Sequence, residues 1–129
     1  MPRLFRDDEP IALVEVARTH AQRRRGLLGR TSLSEVLVMS ATSVHTIGLG
    51  RAIDVAFCRV EAARSSPLIP APAARWFDRL PVSLHVAAVT TMVPGRVSRP
   101  RWGERIVLEA PCGSWRRLGV SVGDRLELR

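Results

Sequence analysis

The sequence predicts a mainly β fold, a compact sandwich or small barrel of six or seven short strands with one or two short helices. Three observations predict it. Short β-branched or apolar runs recur along the chain, nine glycines and nine prolines supply the turns between them, and only two stretches read as helix.

Residues 11–16 alternate and are rich in Val and Ile, which predicts a first strand. Thr19 is placed to cap a short helix from Gln22 to about Leu28, with Gly26 and Gly29 helping the chain leave it. The runs 36–39, 43–49 and 53–60 predict three successive strands separated by Ser, Thr, Gly and Arg. The character then changes. Ala, Pro, Ser and Arg dominate 61–81, with one helical turn over 73–80, so this segment reads as an insertion or long loop. Residues 82–93 resume strand character until Pro94-Gly95 ends it, 106–109 predict another strand, 113–118 a short helix and 124–128 a closing strand. Trp102 and Trp115, beside a strand and a helix start, are expected in the core.

At 129 residues the chain is expected to form a single domain (1–129), long enough to remove roughly two thirds of its unfolded surface from water. The net charge of +8 and isoelectric point near 11.5 first suggest an anion binder. However, all 20 basic residues are arginine, and lysine, asparagine and tyrosine are absent. Those three residues use A/T-rich codons, so a GC-rich, bacterial-type genome explains the arginine excess without selection for binding. The first residues reach no continuous apolar run, and the longest uncharged stretch, 80–95, is shorter than the roughly 20 residues of a membrane span. The expectation is a soluble cytoplasmic protein with no membrane span. Cys58 and Cys112 have no metal spacing and are expected as free thiols.

Three blocks together resemble a known pattern. Arg23-Arg24-Arg25-Gly26-Leu27-Leu28-Gly29-Arg30 follows the first strand; His45-Thr46-Ile47-Gly48-Leu49 precedes Ile53-Asp54-Val55-Ala56-Phe57; Val107-Leu108-Glu109-Ala110-Pro111-Cys112-Gly113 precedes Leu118-Gly119-Val120-Ser121-Val122-Gly123-Asp124. In order and spacing these resemble the R-x-x-G-L-(L/M)-x-R, H-T-x-G-M, I-D-V-x-F, V-L-E-x-x-x-G and L-G-x-x-x-G-D signatures of family 192 of the domains of unknown function. The resemblance implies a compact β-rich fold with no established activity, and marks Arg23, Gly26, Leu27, Arg30, Asp54, Gly113, Gly123 and Asp124 as motif positions. Two departures stand out: Leu49 replaces the usual methionine, and the long 61–81 segment replaces a tight hairpin.

The stretch SVHTIGLGRAIDVAF, residues 43–57, sets His45 and Asp54 in otherwise apolar sequence. If their strands are neighbours the carboxylate would fix the imidazole tautomer, and Cys112, before Gly113 and a short helix, would supply a nucleophile. This hydrolase-like enzyme is the alternative reading, since geometry and not residue content establishes a triad. In IDVAF the alternation puts Ile53, Val55 and Phe57 on one side and Asp54, Ala56 and Cys58 on the other. Both sides are apolar, so Asp54 needs a partner, and the fork of Arg30 is the candidate.

Arg23, Arg24, Arg25 and Arg30, with Arg96, Arg99 and Arg101, could touch phosphates, but stacking aromatics and a recognition motif are lacking, so weak nucleic-acid association ranks third. Trp76 and Phe77 are candidate anchors for a protein or small-molecule partner. No P-loop, dinucleotide, H-E-x-x-H or C-x-x-C motif occurs, so no cofactor is called, and spacing nominates no metal partners for His45 or His85. The preferred reading is a noncatalytic binding or accessory module.

Overall fold

The computed structural model describes residues 2–17, 35–61 and 80–129. Seven strands close into a barrel: β1 (Arg3–Arg6), β2 (Glu9–Ala17), β3 (Val36–Ser40), β4 (Ile53–Glu61), β5 (Val82–Met92), β6 (Ile106–Pro111) and β7 (Arg125–Leu128), with one described helix, α1 (Ser114–Leu118). The order around the barrel is β1-β2-β3-β6-β4-β5-β7, and β1 pairs with β7 to close it. The β2–β3 pair is parallel, with Val14 opposite Val36; the other pairs are antiparallel. Thus the mainly β, small-barrel expectation holds, with seven strands.

Period-two alternation explains the closure. Leu4, Val14, Val36, Val38, Ala56, Leu84, Val86, Leu108, Leu126 and Leu128 fill the interior. The opposite faces of β3, β6 and β4 carry Leu37, Met39, Val107, Ile53, Val55 and Phe57, which form a second buried cluster on the outer wall. These three strands are apolar on both sides and read as unbroken runs rather than as alternation.

Three expectations are corrected. The barrel begins one strand earlier than expected, because Arg3–Arg6 pairs with both β2 and β7 around a turn whose Asp7 and Asp8 both have positive φ, 50° and 65°. Residues 43–49 do not form a strand: only His45 makes a ladder contact, an isolated antiparallel bridge to Val97. Finally, Trp102 is not core but 73% exposed, whereas Trp115 is buried as expected. Trp102 sits on a turn with Gly103, and the preceding Arg101 takes the inward place, its guanidinium 5.5 Å from the Phe57 ring.

Candidate functional site

Asp54 and His45 belong to different places. Asp54, near the start of β4, lies opposite Thr91 of β5 and Ala110 of β6 and is buried. Its Oδ1 accepts from Thr91 Oγ1 at 2.9 Å, and its Oδ2 accepts from the backbone N–H of Trp115 at 3.0 Å. The second bond satisfies one of the donors that the first turn of a helix leaves without an intrahelical partner, and it puts negative charge at the positive end of α1. Gly113, at φ 91°, gives the sharp entry into α1, and Ser114 Oγ donates back to the carbonyl of Pro111.

The other end of α1 is held by a cation. Arg6 donates from Nη1 to the carbonyl of Gly119 (2.5 Å) and from Nη2 to that of Leu118 (2.9 Å). Gly119 adopts φ 73°, and a Cβ there would stand 3.1 Å from Arg6 Nη2. A helix of five residues is too short to persist alone; here Asp54 holds its first turn and Arg6 its last, while Trp115 plugs the barrel. The chain then turns at Gly123, φ 92°, where the Asp124 carboxylate accepts from the Ser121 N–H at 2.9 Å.

His45 lies elsewhere, on an irregular lobe made of residues 42–49 and 93–105. Thr46 is its centre and is fully buried. Its hydroxyl donates to the carbonyl of Val93 (2.7 Å) and accepts from the N–H of Arg96 (2.9 Å), while its own N–H donates to the Arg96 carbonyl (2.8 Å). The Thr46 carbonyl accepts from Gly95, and the Ser98 N–H donates to Val44. Further along, Val44 N–H donates to Ser98 Oγ and Arg101 N–H to the Thr42 carbonyl. Val44 and Thr46 point inward, so His45 and Ile47 point out, and His45 shares its exposed side with its bridge partner Val97.

Asp54 gives its two oxygens to Thr91 and Trp115, His45 stands exposed on the lobe, and Cys112 is exposed before Gly113. Arg23, Gly26, Leu27, Arg30, Trp76 and Phe77, with the helix starting at Thr19 and most of the 61–81 segment, lie outside the described residues. Among the described residues no group of three His, Cys, Asp or Glu side chains forms a metal-sized cluster. No described helix is long and apolar enough to cross a membrane.

Sequence reasoning missed the apolar surface of the lobe. Ile47 (58% exposed), Val93 (50%), Val97 (65%) and Trp102 (73%) all sit on it, four of the six large apolar side chains that the described residues expose. Exposed Arg51, Arg96, Arg99 and Arg105 lie on or next to the same segments. The available signal was the pair of turn dipeptides, Pro94-Gly95 and Trp102-Gly103, which set these side chains at bends rather than inside strands.

The two thiols differ in the same way as the two polar residues. Both are free; Cys112 is exposed, and Cys58 is fully buried, with burial pushing its pKa up to about 12. A thiol reagent at neutral pH is expected to label one cysteine in the native protein and two in denaturant. Since an unfolded thiol ionises near pH 8.5 and the folded Cys58 only near 12, its linked stability is complete below the first value and declines as pH rises toward the second. In alkaline urea titrations Cys58→Ala is expected to remove that decline.

No family model and no curated protein matches the chain. Solved structures do resemble it. A candidate transcription regulator from Sinorhizobium meliloti 1021 superposes with a TM-score of 0.63 at 22% identity, covering 97% of this chain and 89% of its own. A protein of unknown function from Novosphingobium aromaticivorans DSM 12444 superposes with a TM-score of 0.62 at 19% identity, covering 97% of this chain and 81% of its own. At such identities the likeness establishes the shared fold alone.

Proposed function

We propose that this chain is a noncatalytic binding module of family 192 of the domains of unknown function, acting in the cytoplasm, and that it engages its partner through the 42–49 and 93–105 lobe. One observation carries the reading: most of the large apolar side chains that the described residues expose gather there, among arginines, on a surface held together by the buried Thr46. Apolar surface ringed by polar groups is costly to leave in water and is characteristic of interaction sites. Tryptophan and arginine contribute to binding out of proportion to their number.

The enzyme alternative draws no comparable support. Its carboxylate is engaged in holding α1, and its imidazole lies on the lobe. A nucleic-acid partner would ask for a reading helix or a row of stacking aromatics. The described helix has five residues, and Trp102 is the one strongly exposed aromatic among the described residues.

The test is a paired capture from host extract and host membranes, using the wild-type chain and the Val97→Asp/Trp102→Ala variant. Both positions are exposed, so the variant is expected to unfold within about 0.5 kcal/mol of wild type. Its bound material is expected to fall at least tenfold. Equal capture by the two chains would refute the lobe as the binding face.

A further inference from the structure

We infer that the partner of this lobe is an anionic lipid surface, bound peripherally through insertion of Ile47, Val97 and Trp102 and through arginine contacts to headgroup phosphates. The inference rests on the lobe being the binding face and adds the chemistry of its occupant. The first support is charge. Residues 42–51 and 93–105 carry Arg51, Arg96, Arg99, Arg101 and Arg105 against one carboxylate, Glu104, whose Oε1 is already 3.4 Å from Arg101 Nη2. Four of these arginines are exposed, and each presents a planar fork suited to phosphate oxygens.

The second support is the arrangement of the apolar groups. The lobe is bonded from Thr42–Arg101 at one end to Thr46–Gly95 at the other, a run of about 13 Å at strand rise. Ile47 and Val93 lie at the Thr46–Gly95 end, Val97 and His45 in the middle, and Trp102 follows Arg101 at the far end. Each end is a turn, so Ile47 and Trp102 project at bends, with Val97 on the bridge between them. Shallow insertion of a few apolar groups into a bilayer adds to the attraction of each arginine for anionic headgroups. Tryptophan is also the side chain most suited to the headgroup boundary.

The experiment is flotation of the full chain with vesicles of phosphatidylcholine alone and of phosphatidylcholine mixed with an equal part of phosphatidylglycerol. Binding is expected to the mixed vesicles and not to the neutral ones. Arg96→Ala/Arg99→Ala is expected to weaken it by about 25-fold, at roughly fivefold per arginine. Val97→Asp/Trp102→Ala is expected to weaken it on the order of a hundredfold, and Val122→Asp, exposed on the turn before β7, to leave it unchanged. Circular dichroism confirms that each variant is folded. Binding that survives both lobe variants, or that is equal on neutral vesicles, would overturn the inference. So would vesicles that fail to bind while host protein or RNA is captured in a manner that depends on Val97 and Trp102; the lobe would then stand and its lipid occupant would not.

Discussion

Replacing Asp54 with alanine is expected to lower the unfolding free energy by about 1 to 4 kcal/mol, read as a fall in urea midpoint at unchanged slope. The larger part comes from the N–H of Trp115, buried and left without an acceptor, which costs about 1 to 3 kcal/mol. The smaller part is the loss of a negative charge at the start of α1, about 0.3 to 1 kcal/mol. Thr91 contributes little, since its residue is exposed and its hydroxyl can turn to water. Asp54→Asn keeps one acceptor and is expected to recover about half of the loss, an estimate that assumes its amide oxygen faces Trp115. A catalytic Asp54 would behave in the opposite way, with asparagine sparing stability and abolishing an activity.

Thr46→Val is the second large effect. The two side chains have nearly the same shape, but valine leaves the Val93 carbonyl and the Arg96 N–H without the partner that the hydroxyl gives them. The expected cost is about 1 to 3 kcal/mol. Its consequence is local, because the backbone bonds of Thr46 to Gly95 and Arg96 remain. Amide exchange over residues 93–98 is therefore expected to accelerate by about 5- to 150-fold while the barrel strands keep their protection. Thr46→Ser retains the hydroxyl and is expected to restore most of it. A change spread evenly over all seven strands would show that Thr46 supports the barrel rather than the lobe.

Much of the barrel is legible in the sequence because its strands are short, β-branched and separated by Gly and Pro turns. Val36–Ser40, Ile53–Glu61, Val82–Met92 and Ile106–Pro111 stand out by composition alone. The edges are not legible in the same way. Arg3–Arg6 carries two arginines in four residues, so its single interior residue, Leu4, gives no periodic signal. Residues 43–49 look like a strand because Val44, Thr46 and the residues between them alternate as strand residues do. Their partner segment is irregular, though, and a hydroxyl replaces part of the ladder.

The candidate site shows the same division. Alternation in IDVAF correctly puts Ile53, Val55 and Phe57 on one side of β4 and Ala56 and Cys58 on the other. What Asp54 touches depends on a helix 61 positions away in sequence, which no local pattern reveals. Trp102 was misplaced for a related reason: a large apolar side chain near a strand is usually core, and only the three-dimensional seat of Arg101 over Phe57 displaces it.

The central claim is that the lobe, and not the Asp54 end of the barrel, meets the partner. A photoreactive amino acid placed in turn at positions 97, 102, 112 and 122 of the full chain, and activated in host cells, tests it directly. All four positions are exposed, so reagent access is comparable. Adducts, whether to lipid or to macromolecule, are expected from positions 97 and 102 and not from 112 or 122. Adducts from 112 with none from 97 or 102 would contradict the account and return attention to Cys112 and Asp54.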